Sequence, residues 1–121
     1  MSSSDKKAAA SAAKIAYETI DEKLGADITI LDISDVSIMA DYFIIASANN
    51  LNHLKALADE TERKLFEAGF KMRHSEGYNT SKWILLDYSS IIVHLFTKEE
   101  REFYNIERVW GDSQTVDPVT L

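Results

Sequence analysis

Trp83-Ile84-Leu85-Leu86-Asp87-Tyr88-Ser89-Ser90-Ile91-Ile92-Val93-His94-Leu95-Phe96-Thr97 is the stretch that decides the fold. Two runs of strand length, rich in β-branched and aromatic residues, flank Ser89-Ser90, which is the pattern of a tight hairpin. Side chains alternate between the faces of a strand, and a two-residue turn fixes which residues lie opposite one another. With Ser89-Ser90 as the turn, Tyr88 faces Ile91, Leu86 faces Val93 and Ile84 faces Leu95, so one face is almost wholly aliphatic and belongs to the core. The other face collects Trp83, Leu85, Asp87, Ile92, His94 and Phe96, large aromatics mixed with a carboxylate and an imidazole, as binding surfaces are. The turn lacks the Gly or Asn that such loops favour, and a one-residue change in its length would exchange the two faces.

Working upstream, Glu76-Gly77-Tyr78-Asn79-Thr80-Ser81 reads as a loop and Lys71 to Ser75 as a short strand. Before them Asn49 or Asn50 can cap a helix in which Leu51, Leu54, Ala58, Thr61 and Leu65 recur at helical spacing, with Gly69 as its stop. Asp27 to Ile33 and Asp41 to Ala48 have the length and composition of strands. Asp41 reads as a residue that begins a strand or caps a backbone turn. From Ala8 to Leu24 a further helical pattern carries Ile15, Tyr17, Ile20 and Leu24, with Gly25 as a left-handed stop.

Downstream, Thr97-Lys98-Glu99-Glu100 matches a capping box that opens a helix running to about Val109. Phe103, Ile106 and Trp110 share one side of that helix, which assigns Phe103 and Ile106 to the core and leaves Glu100 and Tyr104, four apart, as exposed contact candidates. Residues 111–121 form a polar tail with little to pack, expected to be flexible. The elements define one α/β domain over residues 1–110, built on a mixed five-stranded sheet with helices. Three helices, one of them short, leave part of one sheet face for a partner, unless the last helix or a second copy of the chain covers it.

At 121 residues the chain has the length of one domain, and its 45% hydrophobic content is that of a folded protein. No apolar stretch approaches the roughly 20 residues of a membrane helix, and the N-terminal Met1-Ser2-Ser3-Ser4-Asp5-Lys6-Lys7 resembles neither a secretion signal nor a basic transit segment. A cytoplasmic protein is the expectation, which the absence of cysteine suits. The net charge of -7, from 20 acids against 13 bases, disfavours direct RNA contact; it suits a basic protein partner, and keeping the protein in solution accounts for it equally. His53, His74 and His94 fall on separate elements, so no metal site is expected, and the four isolated glycines form no phosphate loop. Asp27 and Asp32 lie on opposite faces of one strand and cannot share a metal, and no Gly-x-Ser-x-Gly elbow is present. Neither a cofactor nor a small-molecule substrate is expected.

Several separate motifs then carry a more specific reading. Asp41-Tyr42-Phe43-Ile44-Ile45, Glu76-Gly77 followed by Trp83-Ile84-Leu85-Leu86-Asp87, Val93-His94-Leu95-Phe96, and Glu100-Arg101-Glu102-Phe103-Tyr104-Asn105-Ile106-Glu107 with Trp110 closely resemble the ribosomal silencing factor family, also called RsfS or Iojap-like. The likeness runs from about Ala8 to Asp112. It implies a fold related to nucleotidyltransferases but lacking their active site, and a protein that is not an enzyme. It further implies binding to the large ribosomal subunit through the ribosomal protein numbered fourteen, which blocks association with the small subunit and represses translation when nutrients are scarce. Large-subunit assembly through the same contact is the alternative, and a residual nucleotidyltransferase or a homodimer through the same face are the rivals. Carried over by motif, the partner-binding residues are Trp83, Leu85, Asp87, His94 and Phe96, with Glu76, Arg101 and Tyr104 beside them. Ser89-Ser90, where relatives often carry glycine, and the longer tail after Trp110 are the departures.

Overall fold

The computed structural model describes residues 3–38, 40–111 and 113–121, with side chains from Asp5 onward. Met1, Ser2 and Asp112, which the sequence reading touched, lie outside the described residues. The chain runs α1 (Ser3–Glu22), β1 (Ala26–Asp32), β2 (Tyr42–Ala48), α2 (Leu51–Glu67), β3 (His74–Glu76), β4 (Trp83–Asp87), β5 (Ile91–Thr97), α3 (Lys98–Tyr104), α4 (Ile106–Val109), β6 (Gln114–Thr115) and a 3-10 turn at Pro118–Thr120. The sheet order is β3-β4-β5-β2-β1-β6. The pairing of β2 with β5 is parallel and the other pairings are antiparallel, so the α/β reading with a mixed sheet holds.

The hairpin register is as the sequence requires. Trp83 lies opposite Phe96, Ile84 opposite Leu95, Leu85 opposite His94 and Leu86 opposite Val93. The turn closes with Tyr88 N–H donating to Ile91 O at 3.0 Å, and Ser89 adopts a positive φ of 68°, a conformation that favours glycine. Asp87 Oδ1 accepts from Ser89 N–H at 2.8 Å, which supports a serine in that costly conformation.

Alternation sends β2 and β5 side chains into two layers. Tyr42, Ile44, Ala46, Ile91, Val93 and Leu95 join Ile84 and Leu86 under α1 and α2. Close approach of α1 comes from Ala9, Ala12, Ala13 and Ala16, each fully buried, with Ile20 one turn further on. From α2, Leu54, Leu57, Ala58, Thr61 and Leu65 are buried, whereas Leu51 is exposed because it stands in the first turn, beyond the sheet. On the opposite face Leu31, Ile33, Ala40, Phe43, Ile45 and Phe96 form a second cluster, with Trp83, Ile92, Ile106 and Trp110 packed against it.

Four expectations are corrected. The sheet has six strands, because Gln114–Thr115 pairs with β1 and Val116 N–H donates to Ile30 O at 2.8 Å. The tail therefore has something to pack: Val116 and Leu121 lie against the main core. Leu24, not Gly25, takes the left-handed position after α1; Gly25 is required because a Cβ there would collide with Ile20. Thr97 stands at the N-cap of α3 but its hydroxyl makes no capping bond and is buried without a partner, so the capping box does not form.

Asn50 shows the opposite outcome, its Oδ1 accepting from His53 N–H at 2.8 Å. The His53 ring then joins the two long helices, Nδ1 accepting from Asn49 N–H and Nε2 reaching Lys23 O at 2.8 Å. Replacing Asn50 with Ala removes the cap of α2 and lowers unfolding free energy by about 1 kcal/mol in urea titration; an unchanged midpoint would show that water replaces the cap at no cost.

Candidate partner-binding site

The short helices α3 and α4 cover the second sheet face, and neither buries a residue completely. Between them Asn105 takes a left-handed conformation, φ 43° and ψ 55°, which ends α3 and turns the chain before α4. The single helix expected through Val109 is therefore two, and Phe103 and Ile106 do not share a side. Ile106 packs on the second cluster, while Phe103 is 78% exposed rather than in the core.

Phe103 begins a continuous series of ring contacts. It meets Tyr104 edge-on at 5.1 Å, Tyr104 lies 4.9 Å from Trp83, and Trp83 stacks on Phe96 at 4.9 Å. Phe43 follows, edge-on to His94 at 4.6 Å and to Trp110 at 5.1 Å. Rings so arranged exchange favourable edge and face contacts and lose little conformational freedom on binding. The platform is thus rigid at its base and open at its rim, where Tyr104 is 45% exposed.

His94 belongs to the base. Its Nδ1 accepts from the Trp83 indole Nε1–H at 3.2 Å, which puts the ring proton on Nε2, a buried atom without a partner. Burial pushes the imidazole down to about 4 from its ordinary value near 6.5, so the ring is neutral at physiological pH. Phe96 is fully buried. Neither residue can touch a partner directly, contrary to the reading of the hairpin face as an open surface; Trp83 lies against both rings and Tyr104 of α3 against Phe96, and the two fix the indole that a partner would meet.

The remaining candidates separate. Glu76 lies opposite Leu85 across the β3–β4 pairing, and Glu76, Gly77, Ser81, Trp83 and Leu85 line one small cleft of about 250 Å³ beside the platform. Gly77, at φ +86°, lets the loop pass so close to the Trp83 carbonyl that any Cβ would collide with it. Asp87 stands at the far end of β4, buried, with Oδ1 on Ser89 N–H and Oδ2 3.5 Å from His74 Nδ1. It serves the turn and is not placed to meet a basic group of a partner at the platform. Arg101 points inward: Nε and Nη2 form a bidentate pair with Glu107 at 2.9 and 3.2 Å, Nη1 donates to Ser47 Oγ, and Nη2 donates to Thr29 Oγ1. Its side chain is only 11% exposed, so it clamps α3 and α4 to β1 and β2 instead of offering a contact.

Sequence reasoning missed Phe103 as an exposed group, since it fits a helical stripe with Ile106 and Trp110, and it assigned Val109 to neither side. Asn105 was the available signal, because asparagine is the residue after glycine that best tolerates a left-handed helix end. Asp41 is buried just before β2, where its backbone N–H donates to Ser90 O and its carbonyl accepts from Ile33 N–H, so it serves entry to the strand. Among the described residues no group of three His, Asp or Glu side chains could hold a metal ion, and no helix is long and apolar enough to cross a membrane.

Fold and site together define an α/β domain with an aromatic platform on the sheet face opposite its two long helices. The model for "Ribosomal silencing factor during starvation" matches residues 5–121. A ribosomal silencing factor of Bacillus subtilis is 38% identical over 104 residues, covering 86% of this chain and 88% of that one. A chloroplastic Iojap protein of Arabidopsis thaliana is 28% identical over 113 residues, which span 93% of this chain and 47% of that one. A crystal structure from Chromobacterium violaceum superposes with a TM-score of 0.81 at 34% identity, covering 84% of each chain. The chain belongs to the ribosomal silencing factor family, whose name is that of a regulator of translation and not of an enzyme.

Two outcomes test the site's construction. Because the folded state holds His94 neutral down to about pH 4 while the unfolded chain protonates near 6.5, stability is complete above pH 6.5 and is lost as pH falls toward 4. Between pH 7 and 5 the loss attributable to this residue is about 2 kcal/mol, and His94→Gln should remove that component from the urea-unfolding difference; an unchanged pH slope in the variant would contradict a buried neutral ring. Arg101→Ala should cost roughly 1–3 kcal/mol by leaving Glu107 and two hydroxyls unpaired, with Arg101→Lys failing to restore the bidentate geometry. Amide exchange should accelerate in residues 98–109 of both variants.

Proposed function

We propose that this chain binds the large ribosomal subunit through the aromatic platform, meeting the large-subunit protein numbered fourteen, and that the bound chain obstructs joining of the small subunit and so represses translation when nutrients are scarce. Family membership supports the ribosome as the target. The observation that carries the choice of surface is Phe103, a large apolar ring 78% exposed at the rim of a stacked series that ends in the core. A ring displayed in that way adds desolvation energy to a complex and nothing to the fold.

In this reading Phe103, Tyr104 and Trp83 are the contacts, Leu85 and Glu76 border them, and His94, Phe96 and Arg101 hold them in place. The net charge of -7 suits a basic protein surface and speeds encounter. Neither a cofactor nor a membrane enters the mechanism, which is steric: a folded domain seated where the other subunit must dock.

Co-sedimentation with separated subunits, followed by a joining assay, tests this. The chain should pellet with the large subunit alone and should lower the yield of joined ribosomes. Binding without a block would assign the chain to large-subunit assembly, and pelleting with neither subunit would end the proposal. Phe103→Ala should leave folding within about 0.5 kcal/mol of wild type and weaken ribosome binding by about 2 kcal/mol, near 30-fold. Wild-type affinity in that variant and in Trp83→Ala would move the contact away from the platform. Concentration-dependent sedimentation of the free chain, lost in Phe103→Ala, would show that a homodimer uses the same rings.

A further inference from the structure

A second surface lies on the other side of the sheet, where α2 passes the β4–β5 turn. Phe66, Phe70, Met72 and Tyr88 form the apolar walls of an open groove of about 390 Å³, bordered by Asp59, Glu62 and Arg63. Phe66 is 80% exposed although it stands on the helix that buries Leu65 completely.

The charges around this groove are unequal in their satisfaction. Arg63 is bound on both sides, by Glu60 through Nε and Nη2 at 2.8 and 3.0 Å and by Glu67 through Nη1 at 2.9 Å, so its charge is more than neutralised. Asp59 accepts from the Tyr78 hydroxyl at 3.1 Å. Glu62 is half-buried, and among the described residues its carboxylate has no hydrogen-bond or ion-pair partner. Burial raises its carboxyl above the ordinary range, and the one charge acting on it, Asp59, raises it further. Burial pushes the neighbouring Tyr88 hydroxyl up to about 12, with Glu62 adding to the effect. Lys71 and Arg73 flank Met72 in sequence but do not line the groove.

A carboxylate partly withdrawn from water and unpaired beside apolar walls costs free energy that a cation would recover. Lysine and arginine carry aliphatic stems that lie on apolar surface while the charged end finds its partner. We propose that this groove is a docking site for a protein segment that presents a lysine or arginine next to an apolar side chain, the cation on Glu62 and Asp59 and the apolar group against Phe66, Phe70 and Met72. A second copy of the chain is disfavoured as occupant, since two acidic grooves brought together would oppose like charges on a protein already at -7. The groove is separate from the platform, so this proposal stands or falls independently of the ribosomal reading.

The test is an amide and side-chain NMR titration of the whole chain with acetyl-Leu-Arg-Leu-Lys-Leu-amide, and with acetyl-Leu-Glu-Leu-Glu-Leu-amide as control. Saturable shifts confined to Glu62, Phe66, Phe70, Met72 and Tyr88 are expected with the basic peptide only. They should weaken at least about tenfold in Glu62→Gln and in Phe66→Ser, both changes at positions that do not fill the core, and persist in Trp83→Ala. Equal response to the acidic peptide, wild-type affinity in Glu62→Gln, or shifts spread over the acidic surface would overturn the proposal. So would groove signals that move when the peptide-free chain is diluted, which would make a second copy the occupant.

Discussion

The parallel pairing of β2 with β5 is the constraint on which the rest of the structure depends. Their seven residue pairs, from Tyr42 with Ile91 to Ala48 with Thr97, sit at the centre of the sheet with apolar side chains on both faces. A strand pair of this kind cannot leave either face in water, so the chain must supply cover twice. Two long helices do so on one side, and their alanine-rich contact brings the backbone close. Little chain remains for the other side. The cover there is a seven-residue helix and a four-residue helix, and the aromatic rings stand where that cover runs out.

Helices this short cannot be held by an apolar stripe, since neither buries a residue completely. Arg101 takes over that task with hydrogen bonds to Glu107, Ser47 and Thr29, joining α3, α4, β2 and β1 in one node. The division of labour has a consequence for the surface. Because polar groups carry the anchoring, the apolar side chains Phe103 and Val109 are free to face outward, and a partner can bury them without disturbing the fold. His94 plays the matching part beneath: a neutral ring that holds the Trp83 indole by one hydrogen bond and has water excluded from its other nitrogen.

The hairpin was legible because its information is local. Period-two alternation and a two-residue turn suffice to set Leu86 opposite Val93 and to separate the aliphatic face from the aromatic one. What the pattern lacks is the identity of the layer that covers each face. Phe96 and His94 were assigned to the correct face, yet their burial depends on rings brought from elsewhere, Tyr104 of α3 on Phe96 and Phe43 on His94, contacts distant from the alternation itself. Phe103 failed for a different reason: helical spacing assumes one unbroken axis, and Asn105 breaks it with a single left-handed residue. Asp87 was read as a partner contact because the demand of Ser89 for a supporting acceptor is visible only once the turn is built. The tail looked polar and idle, but a two-residue strand needs backbone groups and an open edge on β1, neither of which composition reports.

The two surfaces differ in what makes each one incomplete, and that difference argues for different partners. At the platform each exposed ring rests on another ring, and what a partner would meet there is apolar area. At the groove an unpaired carboxylate, Glu62, is the unsatisfied group, and the apolar walls raise its cost. One strand reaches both, since β4 begins with Trp83 on the platform side and the residue just after it, Tyr88, forms a wall of the groove. The even number of residues between these positions, Ile84 to Asp87, along an alternating strand places them on opposite faces, so the hairpin register that builds the core also fixes the two surfaces back to back. A protein held at the platform would therefore present the groove outward, away from the first contact and accessible to a second one.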